Sequence, residues 1–402
     1  MRILYLTTEG FDTPNPCSQL VMVLIRELIK AGHNVHLVQS RRSKQYPDIP
    51  EMLSGLDGFE CDTIDRKTVG KHNFIRRYLN EVHWAFQSFS KWRKIKKKID
   101  VVILQSCPTA TYQLLLLRWF CRKPIVYNVY DMWPGNIMEL GITKSKFLVG
   151  VFKIIQRIGY RCCSKIMVMS EDMKEMMLKE KVKSEKVRVL QSWYDDENVY
   201  FVPKSCNRFI KKYSLENNKF VVQFAGTIGY SFDYLTFFNV AKILKDEENI
   251  VFHVIGLGGF LDELKGLVEK ENMSNVLFFP IQPIEEVRDV YSECDVELIP
   301  LSKGLIGVGV PSKAPLLMAC KKVIVSAVEE DSDYYRFFVE KKIGVVAPQG
   351  DYERLAAEIV DLSKNHDRYS DISNKAYSYA KEHYSSSACM DVVFQILEGF
   401  DK

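Results

Sequence analysis

The apolar run Val221, Val222 and Phe224 leads into Gly226-Thr227-Ile228-Gly229, and a segment of helical spacing follows: Tyr234, Phe237, Phe238, Ala241 and Leu244. A strand, a glycine turn and a helix bring free backbone N–H groups to the positive end of a helix dipole, which suits a phosphate. The same turn also serves as a plain βα connection, so its position matters. It opens a second α/β half after a first half that reads as complete. Further on, Gly304-Leu305-Ile306-Gly307-Val308-Gly309-Val310-Pro311-Ser312-Lys313 is a glycine-rich loop ending in a helix start with a lysine in its first turn. A lysine there commonly points into water, but a cation beside free amides is what a departing diphosphate requires. In the first half, a strand from Ile125 to Val129 ends in Tyr130-Asp131-Met132-Trp133. That places Asp131 outside the carboxyl end of a strand, where open parallel sheets bind ligands. Gly256-Leu257-Gly258-Gly259 follows another strand. Leu261 stands where a dinucleotide fingerprint has its third glycine, which excludes a nicotinamide site.

The elements that must hold these groups read as a doubled α/β plan. At 402 residues the chain exceeds what one core usually supports. Ile3 to Leu6 is a strand, Leu20, Leu24, Leu28 and Ala31 line the inner stripe of a helix, Gly32 stops it, and Val35 to Val38 is the next strand. This βαβ unit predicts a parallel sheet with right-handed crossovers. Strands at Val101–Gln105, 125–129, Lys165–Met169 and Val187–Leu190 complete the first domain, 1–195, and the C-terminal helix within 385–402 packs back on it. A polar linker, Asp195 to Asn218, precedes the second domain, 205–375. The fold class is α/β, with two Rossmann-like domains facing across a central cleft.

Composition narrows the function classes. Hydrophobic content of 47% and charged content of 26% are those of a globular protein, and a net charge of +4 does not call for nucleic acid. The ten cysteines form no Cys-x-x-Cys pair, so neither a zinc ribbon nor a redox motif is written here. His33 and His36 fit a surface turn better than a metal. The N-terminus enters a strand without a signal-peptide pattern and no apolar run approaches membrane-spanning length, so a cytoplasmic protein is expected. Residues 71–98 stand apart. Phe74, Tyr78, Val82, Phe86, Phe89 and Ile95 share roughly one helical face, and Arg76, Arg77, Lys91, Arg93, Lys94, Lys96, Lys97 and Lys98 are opposed within the segment by Glu81 alone. Such a helix packs on a core with a solvated basic end, or lies on anionic lipid as a peripheral contact. Trp84 and Trp92 suit either.

Taken together, AGHNV after the first helix, AGTIG opening the second half, VIGLGG two elements later, and DVELIPL before PSKAPLLMACKKVIV resemble a glycosyltransferase of GT-B architecture, within it the retaining family-four enzymes. YNVYDMWP and LQSWYD are similar to the branch that assembles bacterial capsule, O-antigen or exopolysaccharide units. The resemblance covers nearly the whole chain. It implies a hexosyl- or N-acetylhexosaminyl-type transferase that moves sugar from a nucleotide-diphosphate donor, with UDP the expected nucleotide, to a polyprenyl-linked saccharide with retention. No cofactor and no metal are implied. Gly226, Thr227 and Gly229 would face the diphosphate, Gly258 the nucleotide and Pro283 the base. Ser312 and Lys313 would meet the phosphates, Gly309 and Trp133 would belong to the substrate-binding site, and Asp131 would face the acceptor or transferred sugar.

The chain departs from that family at several points. Val308 and Leu316 occupy the positions of two customary glutamates, Tyr130 that of a histidine, and Cys17-Ser18 that of a glycine pair. A carboxylate elsewhere, Glu329, Asp331 or Asp333, is then a candidate for the sugar. Two other readings share the plan: a nucleotide-sugar 2-epimerase, which needs several acid/base groups in the cleft, and a non-catalytic partner that keeps the fold.

Overall fold

Near-continuous apolar runs give strands that are buried on both faces, the condition for parallel sheets covered by helices. The computed structural model describes residues 1–12, 16–42, 47–67, 74–132, 145–216, 218–306 and 311–400. Two compact units emerge: Met1–Gln191 with the segment from Cys389 onward, and Ser192–Ile306 with Pro311–Ala388.

In the first unit, β1 (Arg2–Leu6), β2 (Asn34–Arg41), β3 (Phe59–Asp65), β4 (Val101–Gln105), β5 (Ile125–Val129), β6 (Lys165–Val168) and β7 (Val187–Val189) form a seven-stranded sheet. Its order is β3-β2-β1-β4-β5-β6-β7, and every described pairing is parallel. The second unit holds β8 (Phe220–Thr227), β9 (Ile250–Leu257), β10 (Val276–Phe279), β11 (Val296–Pro300), β12 (Val323–Val328) and β13 (Val345–Pro348), in the order β10-β9-β8-β11-β12-β13. Each order reverses beside its first strand, between β1 and β4 and between β8 and β11. Loops leaving the strands part company there, which is where doubly wound sheets receive ligands. The expected pair of Rossmann-like domains is what the chain forms.

Three local expectations are revised. The polar stretch 195–218 contains a helix, Arg208–Tyr213, capped by the Asn207 side chain, which accepts from Ile210 N at 3.1 Å. Phe209 is buried against Ala225, Ile255 and Val290, Ile210 is buried as well, and Arg208 donates to Asp289 at 2.9 and 2.6 Å, so this is packed structure. Ala31 lies past the last turn of the helix Pro16–Lys30 and is exposed. In the helix Phe74–Ile95 the face turned inward carries Trp84, Ala85, Ser88 and Trp92, while Phe86 is exposed. The two indoles bury more apolar area than the phenylalanines could, and they set the rotation of the helix.

Candidate functional site

Building the site starts with two strand ends that touch. β8 and β9 run in register, Gly226 opposite Gly256 and Thr227 opposite Leu257. Gly226 (φ 153°) and Gly256 (φ 150°) take backbone conformations closed to residues with a side chain. A Cβ on Gly256 would lie 1.9 Å from the Gly226 carbonyl oxygen, and one on Gly258 would lie 2.0 Å from that of Ile228. Glycine at 258 is therefore demanded by backbone packing, with no nucleotide needed to explain it. Ile228 N donates to Leu257 O at 3.0 Å and Phe260 N to Ile228 O at 3.1 Å, which welds the two loops together. Thr227 is exposed and Gly229 half-buried on this ledge.

The helix after the glycine turn is not an open anion site. It begins at Tyr234, and the Asp233 carboxylate already accepts from Thr236 N at 3.1 Å and Thr236 Oγ1 at 2.7 Å. A carboxylate at that end satisfies the dipole from within the chain. The expectation of free amides there gives way to a capped helix five residues beyond Gly229.

What stands at the switch point instead is Lys313, the residue before the short helix Ala314–Ala319. Its ammonium donates to Ala225 O at 2.7 Å and to Glu297 Oε1 at 3.2 Å, and it lies 3.7 Å from the centroid of the Phe224 ring. Phe224 in turn stacks on Phe232 with centroids 3.7 Å apart. Glu297 is on β11 and fully buried; Oε1 also accepts from Ala225 N at 2.9 Å and Oε2 from Gln223 Nε2 at 3.0 Å. Desolvation raises the Glu297 carboxyl above its ordinary range, against the pull of Lys313. Desolvation likewise lowers the Lys313 ammonium, against the support of Glu297. Two of the three ammonium donors are engaged. A Cβ on Gly226 would lie 3.1 Å from Nζ, so a side chain at 226 would crowd the ammonium, and the Lys313 side chain is 15% exposed.

Other candidates fall around this centre or away from it. Ser312 is half-buried next to Lys313 in the chain. Pro283, also half-buried, follows β10; beside it Gln282 accepts from Lys212 Nζ at 2.8 Å and donates to the Tyr213 hydroxyl at 3.1 Å. Gly309, Trp133 and Val308 lie outside the described residues. Leu316 is part of the buried core, so the position of a customary glutamate is apolar in fact as well as in type. Among the substitute carboxylates, Glu329 accepts from Gly304 N at 3.1 Å and Leu305 N at 3.3 Å, which holds the start of the glycine-rich loop. Asp331 is exposed, and Asp333 opens the helix Asp333–Lys341.

Asp131 belongs to the first unit. It lies just past β5 with an open side chain, and its N–H and that of Tyr130 donate to Ser106 Oγ at 3.4 and 3.1 Å. Crowding by protein, then the charge of Glu9, raises its carboxyl above the usual range. Tyr130 is buried, and Ser18 donates to Gly10 O at 3.0 Å where the family's glycine pair would be. Sequence reasoning missed Glu297. The signal was available: a carboxylate set in the wholly apolar strand Val296-Glu297-Leu298-Ile299 needs a buried cation.

Two parallel-sheet domains of this topology, with a cation held at the second switch point, define a protein of the GT-B class. Two family models match the chain in order, Glycosyltransferase Family 4 over residues 18–198 and Glycosyl transferases group 1 over residues 207–379. With both halves matched by glycosyltransferase models, the chain is a glycosyltransferase. It is 27% identical over 323 residues to WbjE of Pseudomonas aeruginosa, described as a probable glycosyltransferase, covering 78% of this chain and 79% of that protein. It is 22% identical over 255 residues to WcaI of Escherichia coli K12, provisionally placed in colanic acid biosynthesis, covering 61% of each. The fold matches HepE of Anabaena, solved with UDP and glucose, with a TM-score of 0.73 and 14% identity over 99% of this chain and all of that one.

Proposed function

We propose that this glycosyltransferase moves a hexosyl or N-acetylhexosaminyl group from a nucleotide-diphosphate sugar, UDP being the expected nucleotide, to a lipid-linked saccharide, with retention and without a metal. Surface polysaccharide assembly at the inner face of the membrane is the setting, in line with the description of WcaI, and the UDP bound by HepE supports the nucleotide. The observation that carries the reading is the Lys313 ammonium at the β8/β11 switch point, held beside Gly226, where no side chain intervenes. Positive charge held there before the reaction meets the charge that develops on a leaving diphosphate, and it needs no reorganisation to do so. Asp131 is assigned to the acceptor or the transferred sugar.

The test separates chemistry from folding. Lys313→Ala alone would strand the buried Glu297, so the informative protein is E297Q/K313M, which removes both charges. It should fold, and should lose turnover by roughly 100-fold or more, the usual effect of removing one oxyanion donor. Wild-type turnover in that variant would remove Lys313 from the mechanism. A panel of nucleotide-sugars screened for thermal stabilisation names the donor. If none shifts the melting temperature, the non-catalytic reading replaces this one, favoured by a Lys313–Glu297 pair that is already satisfied without ligand.

A further inference from the structure

Three neighbouring helices of the first unit, Phe74–Ile95, Ala110–Leu116 and Lys146–Cys162, present an outer side that no part of the described chain covers. The Tyr78 and Tyr112 hydroxyls are 3.4 Å apart, and a Cβ on Gly159 would meet Thr111 at 3.2 Å. About half of the exposed large hydrophobic side chains among the described residues lie on these helices and the turn between them. On the helix Lys146–Cys162, Phe147, Val151, Ile154 and Ile158 recur at intervals of four, three and four, a single stripe, and all are exposed, Phe147 by 79% and Ile154 by 57%. The wide turn Leu117–Cys121 holds Trp119 outward at 65% exposure, with Phe120 beside it. Phe120 packs on Phe89, centroids 5.3 Å apart, and its carbonyl accepts from Lys96 Nζ at 2.9 Å, which ties the basic helix end to this turn.

Charge decides what covers such a face. From Lys91 to Lys123 the chain has nine Lys and Arg against one acid, Asp100, and from Ser145 to Lys165 five basic residues and no acid. Lys91 pairs with Asp62, and Lys153 and Arg157 pair with Glu180. Lys94, Lys97 and Lys98 make no ion pair among the described residues. A second copy of this face would set cation against cation, and a nucleic acid would leave the apolar stripe in water. An apolar stripe bordered by lysines matches the headgroup layer of an anionic bilayer.

We infer that this three-helix face docks on anionic lipid, with Trp119, Phe120 and the Phe147–Ile158 stripe entering the interface and Lys94, Lys97 and Lys98 meeting lipid phosphates. The inference builds on the membrane setting of the proposed function and enlarges the expected contact: 71–98 supplies charge, while 117–121 and 146–162 supply the apolar insertion. No described helix is long and apolar enough to cross a membrane, so the contact is made from one side.

The experiment is co-sedimentation of the full chain with phosphatidylglycerol/phosphatidylcholine vesicles and with phosphatidylcholine alone. Wild type should bind the anionic vesicles only. F147S/I154S should bind about tenfold or more weakly, from the lost side-chain burial. K94Q/K97Q/K98Q should lose about fivefold per charge. All five positions are at the surface, so both variants should melt like wild type. Wild-type binding by F147S/I154S would overturn the apolar contact while leaving a lysine contact in place. No binding by wild type would overturn the membrane setting too, and donor-induced stabilisation of the same sample would show whether the transferase reading survives. A dimer that F147S/I154S splits would assign the face to a second copy and refute lipid docking.

Discussion

Replacing Glu297 by Gln tests whether the switch point is built as a buried ion pair. The carboxylate is wholly inaccessible and receives Lys313 Nζ, Ala225 N and Gln223 Nε2 at 3.2, 2.9 and 3.0 Å. An amide of the same shape keeps one acceptor for Ala225 N and loses the charge that balances Lys313. Breaking a buried pair by removing one partner costs about 3–5 kcal/mol, and the retained acceptor puts E297Q near the lower end, about 3 kcal/mol. At about 2–4 °C per kcal/mol for a domain of this size, the melting transition of the second unit should fall by roughly 6–12 °C, read by calorimetry of the intact chain. Adding K313M should recover part of that loss, because a neutral pair leaves no stranded charge, and the cycle should show a coupling of about 2 kcal/mol or more. An E297Q protein that melts with wild type, or a double variant whose losses simply add, would refute the pairing argument.

The same pair sets a pH dependence. Burial raises the Glu297 pKa above its unfolded value, so its contribution is fully present below the unfolded pKa and is lost as pH rises through the folded one. Burial lowers the Lys313 pKa, so the folded state sheds that proton first and stability gains as pH rises from the lowered value toward 10.5. The difference in denaturation midpoint between wild type and E297Q/K313M should show both slopes when followed against pH. Gly258→Ala should destabilise by about 1–3 kcal/mol or more with no ligand present, because its Cβ would meet the Ile228 carbonyl at 2.0 Å; an unchanged urea midpoint would show that the two loops can part. Asp289→Ala removes the acceptor of Arg208 N, Nε and Nη2, and limited proteolysis within 195–218 should then accelerate severalfold.

How far the chain could be read without coordinates follows from what each signal depends on. Strands of parallel sheets are buried on both sides, so runs such as Val101–Gln105 and Val323–Val328 announce themselves by composition alone, and the doubled topology followed from their order. The rotation of the helix Phe74–Ile95 did not, since its apolar residues occupy more than one face and only competition for the core chooses Trp84 and Trp92 over Phe86. The helix Arg208–Tyr213 was hidden because two buried residues, Phe209 and Ile210, are too few to raise a periodic signal in a polar stretch. The glycine turns were legible in the sequence, but the backbone contact that requires glycine at 258 was not. Gly258 exists for Ile228, a contact between loops thirty residues apart that no local pattern expresses.

The setting of Lys313 bears directly on the chemistry. A lysine free in a glycine-rich loop would reach a phosphate only after losing its rotamer freedom. Here the aliphatic stem is packed and the ammonium is fixed by Ala225 O, Glu297 and the Phe224 ring, so the ordering cost falls on folding and not on each turnover. Glu297 has the opposite effect on binding: it neutralises much of the charge a diphosphate would meet. Both consequences come from one contact, and they predict different kinetics. E297Q should tighten nucleotide diphosphate binding while lowering stability, because the cation is released toward the ligand. E297Q/K313M should weaken binding with stability largely recovered. If titration calorimetry finds the two variants binding UDP alike, the ammonium does not face the nucleotide, and the phosphate must be held elsewhere on the β8/β9 ledge.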